Sequence, residues 1–361
     1  MNNNIIHYQD IPLVSICIPA YNAGATLRKT LDSVLSQDYP NLEIIVSDNH
    51  STDDTAKIAS EYANRGVRCA LGPAYVERGY YCPGEHNWNY ILGLASGQYI
   101  ALYHADDLCS PTMVRRQIYF LQTHHDVSSV FTMTEMINES DHPIRRGSTR
   151  LPDELRGISV FSFPEMFKAV LKYGNFIITP TLMTRKETLK AVGDFNYQRF
   201  YSAADLDLWF RMARWRPIGV IDEPLHKYRI SLKQGSAKNN KLRTHVAHYF
   251  KAMDYYLEKS ENQHLISKRS LNKYRSYKAA DQVFCCVNLI MLGQMKEANE
   301  LIEKAITWRG LYSACHSPSH FIQITFGIVL KLALKFGMGG VIGYFVDAVY
   351  HYYRAQKNSP V

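Results

Sequence analysis

Short apolar runs alternate with amphipathic stretches through the first two thirds of the chain. Residues 13–20, 42–46, 99–103 and 128–133 read as strands buried on both faces. Between them, residues 25–37 set Leu27, Leu31, Val34 and Leu35 on one side of a helix. Residues 51–64, 87–95 and 111–122 also predict helices, with Ser51, Thr52 and Asp53 suited to a helix start. Residues 66–85, rich in Gly, Pro and Tyr, have no clear period. Strand–helix alternation of this kind predicts an α/β domain: a mostly parallel sheet with helices on both faces.

The pattern then loosens. Residues 138–156 are polar and loop-like; 176–184 and 218–221 read as strands, and 186–192 and 204–214 as helices. Strand signals fade after about residue 240, which divides the chain into a domain over 1–240 and an all-helical region over 241–361. Within that region, 279–306 predicts a helical hairpin turning at Gly293-Gln294. The most apolar stretch, 320–353, is interrupted by Lys331, Lys335 and Asp347, too often for a spanning helix. It either packs on the rest of the protein or lies in the plane of a membrane with its lysines reaching to headgroups.

The chain's 361 residues, 46% hydrophobic and 20% charged, are ordinary for a globular protein. The net charge of +8 changes the picture only beyond residue 225, where the basic excess concentrates. No nucleic-acid signature accompanies it. Phosphates or an anionic membrane face are the expected partners of such an excess. Seven cysteines without paired spacing, and an N-terminus with no basic-then-apolar leader, fit a reducing cytoplasm.

Candidate chemistry sits just past two strands. One cluster is Asp48-Asn49-His50-Ser51-Thr52-Asp53; the other is His104-Ala105-Asp106-Asp107. Ligands of open α/β sheets lie outside the carboxyl ends of strands. Acidic groups there suit a hydroxyl- and amide-rich ligand together with a divalent metal.

Several runs carry a resemblance. They are Val14-Ser-Ile-Cys-Ile-Pro19-Ala-Tyr21-Asn22, the segment Glu43-Ile-Ile-Val-Ser-Asp48-Asn49 with Ser51, Thr52, Asp53 and Thr55, and Ala95-Ser96-Gly97 leading to Asp106-Asp107. Their order and spacing over about residues 12–235 resemble a family 2 glycosyltransferase. The resemblance implies a GT-A fold, a nucleotide-diphospho-sugar donor and inverting transfer to a hydroxyl of a glycan or lipid-linked acceptor. It also implies Mg²⁺ or Mn²⁺ as cofactor, and work at the inner face of the cell membrane in surface-polysaccharide or lipid-linked oligosaccharide synthesis.

Carried over residue by residue, the resemblance assigns Asp48 to the nucleobase; the other reading of Asp48 is a turn or helix cap. Pro19, Tyr21 and Asn22 line the nucleotide pocket. Asp107 chiefly ligates the metal, with Asp106 sharing it or facing the ribose. His104 stands where an Asp is common, so it is either a softer ligand favouring Mn²⁺ or a loop residue. Asp205 falls where the family's general base sits, with helix N-cap as its structural reading, although Ala204 replaces the usual Glu. Arg229, followed by Ser231, Gln234 and Ser236, matches a basic loop over the diphosphate; the alternative is a surface salt bridge. Thr179, Thr181 and Trp209 are acceptor candidates, Trp209 equally readable as core. Glu85 and His86 stand where relatives often carry an Arg.

Rival readings fail on motifs. The first loop, Pro19-Ala-Tyr-Asn-Ala-Gly24, lacks the three glycines of a dinucleotide fold, and no phosphate-binding G-x-x-x-x-G-K-[ST] loop is present. A catalytically silent sugar-nucleotide-binding scaffold of the same fold is the remaining alternative; intact Asp48, Asp106, Asp107 and Asp205 argue against it.

Overall fold

A computed structural model describes residues 11–73, 83–144, 149–231, 243–308 and 318–338. The chain divides into two compact units, 1–231 and 232–361. The division anticipated near 240 falls in 232–242, outside the described residues.

The first unit is built on one nine-stranded sheet. Strands β1 (Val14–Ala20), β2 (Leu42–Asp48), β3 (Val67–Leu71) and β4 (Tyr99–Leu102) form its parallel part, in the order β3-β2-β1-β4. Helices α1 (Leu27–Leu35), α2 (Thr55–Glu61) and α3 (Pro83–Leu94) connect them. Beyond β4 the sheet becomes mixed. It continues through β8 (Leu182–Arg185), β6 (Ser129–Ile137), β9 (Ile218–Arg229) and β5 (Leu108–Cys109), while β7 (Val160–Phe161) also pairs with β9. The pairings of β8 with β4 and β6, and of β5 and β7 with β9, are antiparallel; β6 and β9 run parallel.

Side-chain parity along β1 explains why both faces are covered. Val14, Ile16 and Ile18 join Leu27, Leu31 and Val34 of α1 in one core, together with Met113, Val114 and Ile118 of α4 (Met113–Thr123). Cys17 points the other way and donates to the Ile91 carbonyl of α3. On that second face Phe131 of β6 meets Trp209 of α8 (Ala204–Trp215) edge-on at 5.3 Å. Gly97, in the turn before β4, is required there because a Cβ would come within 2.7 Å of both Leu13 O and Ser15 N.

Four features of this unit differ from the sequence reading. β3 lies inside the stretch without period, with one buried residue in five. The strand expected over 176–184 is only β8; Thr179–Thr181 before it form a 3₁₀ turn started by Pro180. Helix α5 (Phe163–Tyr173) was unanticipated, although Ser162 and Glu165 form a capping box at its start. β9 is a twelve-residue strand that runs on through Pro224. Helices α6 (Lys186–Val192) and α7 (Tyr197–Phe200) complete the unit.

The second unit is helical among its described residues: α9 (His248–Glu258), α10 (Lys268–Met291), α11 (Met295–Ala305) and α12 (Pro318–Lys335). α10 and α11 form the expected hairpin, turning at Gly293 with φ 74°. Ile324 and Leu330 bury one face of α12 in the core of that hairpin. Its other face leaves Phe321, Phe326, Val329 and Leu332 exposed, continued by Phe336. Lys331 turns inward, pairing with Glu303 at 2.7 Å and donating to Ile306 O at 3.1 Å, so it is not the headgroup-seeking lysine anticipated. No helix among the described residues is long and apolar enough to cross a membrane. Asp347 and residues 339–353 of the apolar stretch lie outside the described residues.

Candidate active site

The register of the sheet brings the acidic clusters to one edge. Asp48 ends β2 opposite Ala20, the last residue of β1. Leu102 ends β4, pairing with Cys17 on one side and with Leu182, the first residue of β8, on the other. The loops after β1, β2 and β4, and the 3₁₀ turn before β8, therefore leave the sheet at the same edge. This is where ligands of α/β sheets bind.

The first two loops brace each other. Asn22, in a left-handed conformation with φ 47°, accepts from Thr52 N at 2.8 Å, while its own N–H donates to Ser51 Oγ at 2.9 Å. Asp53 accepts from Gly24 N at 2.9 Å and Thr55 N at 3.0 Å. Burial works against its charge, but the bonds from Thr55 and Gly24 prevail and hold its carboxyl below the usual range. The carboxylate of Asp48 is buried and accepts from the Ser51 N–H (3.2 Å) and hydroxyl (2.5 Å). Ser51, expected to cap α2, thus fixes Asp48. Pro19 is half-buried, and Tyr21 is 58% exposed.

The third loop carries the densest chemistry. His104, Asp106 and Asp107 bring one ligand atom each to within 4.8 Å of one another. Asp107 is 1% exposed. Its Oδ1 accepts from the backbone N–H of Arg229 at 2.8 Å. Its Oδ2 lies 3.4 Å from His226 Nε2 and 3.8 Å from His104 Nδ1, yet makes no hydrogen bond; His104 Nε2 is likewise buried without one. His226 Nε2 is orphaned too, and a buried carboxylate oxygen without a hydrogen bond among imidazole nitrogens fits a divalent cation. The imidazole of His104 is held by Trp88 of α3, with ring centroids 5.5 Å apart.

The structure gives Arg229 a different place from the one anticipated. Its guanidinium is 2% exposed, donating to Asp106 O at 2.8 Å and Asn138 O at 3.1 Å and pairing with Asp141. It is neither a surface ion pair nor a free phosphate clamp; it secures the Asp106–Asp107 loop from behind. Gln234 and Ser236 lie outside the described residues, as does the side chain of Glu85, while Ser231 donates to Glu139. His86 is exposed and bonds the Tyr197 hydroxyl.

Asp205 is the second residue of α8, not its N-cap, which is Ala203. Burial pushes its carboxyl up to about 6, against hydrogen bonds from Leu206 N (2.7 Å) and Thr179 Oγ1 (3.3 Å). Thr179 belongs to the turn that packs on β4 and β6 and so ties Asp205 to the shared edge. Asp207 pairs instead with Arg211 at 2.8 Å. Two acceptor candidates are corrected. Thr181 is fully buried with its hydroxyl on Ile178 O, and Trp209 is fully buried against Phe131. Neither presents a surface to a ligand.

Sequence reasoning missed His226. This residue is fully buried on β9, with Nδ1 3.3 Å from Thr134 Oγ1 and Nε2 facing Asp107. Its signal is hidden because Pro224, which cannot donate to a ladder, interrupts the strand pattern beyond Ile221.

The family model for glycosyl transferase family 2 matches residues 15–193, spanning β1 to the Thr179 turn and beyond. A glycosyltransferase of Haemophilus influenzae is 26% identical over 70% of this chain and 76% of its own. The Escherichia coli UDP-Glc:alpha-D-GlcNAc-diphosphoundecaprenol beta-1,3-glucosyltransferase WfaP is 33% identical over 48% of this chain. That match spans 61% of WfaP, less than two thirds of its length. The crystal structure of S. aureus TarS 1-349 in complex with UDP-GlcNAc superposes with a TM-score of 0.55 at 16% identity. The match covers 90% of this chain and 92% of that one, which is a likeness of fold. With the family's pattern running through the very strands that build this edge, the chain belongs to glycosyl transferase family 2 and is a glycosyltransferase.

Proposed function

We propose that the chain transfers a sugar from a nucleotide-diphosphate donor to a hydroxyl acceptor with inversion, assisted by Mg²⁺ or Mn²⁺. The observation that carries this reading is the shared edge. Asp205, its carboxyl raised towards neutrality by burial, is linked through Thr179 to the strand edge from which Asp106 and Asp107 project. Direct displacement at an anomeric carbon needs a carboxylate on the acceptor side to take the hydroxyl proton as the bond forms, and Asp205 is assigned that role. Asp48, Pro19, Tyr21 and Asn22 are assigned to the nucleotide; Asp48, held by Ser51, accepts from a base imide or amine, and exposed Tyr21 stacks on it. His104, Asp106 and Asp107 are the residues that would hold the cation, Asp106 being the more exposed of the two carboxylates. A bound cation would offset charge on the departing diphosphate. Arg229 is reassigned to keeping that loop in place, and Thr179 to orienting Asp205.

By analogy with WfaP, whose name specifies a diphosphoundecaprenol-linked acceptor, the acceptor class is a lipid-linked glycan. The exposed apolar face of α12 and the basic excess of the C-terminal unit support work at an anionic membrane surface. The test is incubation with a panel of nucleotide sugars, a divalent cation and polyprenyl-diphosphate-linked acceptors. We expect one donor to be consumed by the wild type, with product of inverted anomeric configuration, and Asp205→Asn to bind that donor without transfer. Donor binding without transfer by the wild type under every acceptor would favour the silent scaffold instead.

A further inference from the structure

We propose that His104 is an inner-sphere nitrogen ligand that tunes this site away from Mg²⁺ and towards Mn²⁺ or another transition-series divalent cation. This rests on the reading above that a cation is held by the third loop. Three observations carry it. One ring nitrogen of His104 lies within 4.8 Å of ligand oxygens of both Asp106 and Asp107, so an ion between the carboxylates has an imidazole beside it. The ring is positioned from behind: Trp88 packs on it at 5.5 Å, and Phe195 backs Trp88 edge-on at 5.3 Å. Its Nδ1 lies 3.8 Å from Asp107 Oδ2, and that oxygen, His104 Nε2 and His226 Nε2 are all buried with no hydrogen-bond partner. A polar nitrogen desolvated without a partner costs stability unless a ligand completes it.

The selectivity follows from donor chemistry. Mg²⁺ demands near-ideal octahedral oxygen coordination and gives up water reluctantly. Imidazole suits transition metals, whose affinity for nitrogen sites rises through the first row. Replacing one oxygen donor by nitrogen therefore penalises Mg²⁺ more than Mn²⁺. His226 has a different part. It meets Asp107 Oδ2 from the buried side and is not among the three clustered ligands, so it orients a ligand and does not supply one.

The experiment titrates Mn²⁺ into wild type, His104→Asp, His104→Asn and His226→Gln with UDP, or GDP where GDP binds tighter. Mg²⁺ is then used as competitor, and the bound Mn²⁺ is read by electron spin-echo envelope modulation. We expect ¹⁴N coupling from a directly bound imidazole in wild type and His226→Gln, and its loss in both His104 variants. The Mn²⁺-over-Mg²⁺ preference should fall roughly tenfold in His104→Asp. Mn²⁺ bound without ¹⁴N coupling, or an unchanged preference in His104→Asp, overturns the inference while leaving the cation reading intact. No Mn²⁺ bound to the wild type with either nucleotide overturns both.

Discussion

Asp205 concentrates two opposed demands in one carboxyl. In the proposed role of base it must be ionised, yet its surroundings favour the protonated form, with a pKa of about 6 against an ordinary 3.8. Transfer should therefore climb with pH through about 6 and level off above it, measurable as kcat/KM against pH. The stability sign is opposite. Between the ordinary and the raised value the folded chain binds the extra proton, so this group's contribution to stability falls as pH rises through that window. Asp205→Asn should accordingly lose about 10²–10⁴-fold in transfer while gaining up to about 3 kcal/mol at neutral pH, seen as a raised Tm. Arg229 makes the reverse prediction. Removing a buried guanidinium that answers Asp141 and several carbonyls typically costs about 3–5 kcal/mol. Arg229→Leu should thus lower Tm and cation affinity together, whereas a phosphate clamp would raise only the donor KM.

At the scale of elements, α12 has too much apolar surface for one partner. A helix that is apolar all round is normally buried on all sides; this one buries Ile324 and Leu330 and exposes Phe321, Val329 and Leu332. Substituting Val329 and Leu332 by Ser should leave Tm unchanged within about 0.5 kcal/mol of stability. The same pair should sharply reduce co-sedimentation with vesicles containing anionic lipid; equal sedimentation of variant and wild type would remove this face from any membrane role. The amphipathic period of α1, the α10–α11 hairpin and the β1–α1–β2 frame were legible in the sequence because each places apolar residues at one regular interval. β3 was not, since an edge strand with one buried position leaves little pattern. β8 was misjudged in extent because Ile177, Ile178 and the threonines have strand propensity, whereas Pro180 starts a 3₁₀ turn. Of the site, the acidic residues were visible as side-chain types after strands. The parts of Thr179, Arg229 and His226 were not, because they arise from pairings between segments far apart in the chain.

Across the whole molecule, the clustered acidic residues and the basic excess fall in different units. Lys and Arg outnumber Asp and Glu by more than two to one beyond residue 231, and roughly balance before it. Within the first unit, one irregularity shapes the edge that carries the candidate site. β9 advances from Ile221 to His226 while β6 advances only from Thr132 to Thr134, so His226 stands where an uninterrupted ladder would put Glu223. Asp222 and Pro224 in that bulge face solvent. β9 thus carries three more residues than β6 across this step, and that odd excess within 222–225 decides which side chains β9 turns towards Asp107. The solvent-facing positions of this segment, Asp222 and Pro224, should be editable, whereas its length should not. A substitution such as Asp222→Ser should be silent, whereas deleting Asp222 should abolish Mn²⁺ binding, with α10–α12 in the other unit keeping their helical signal.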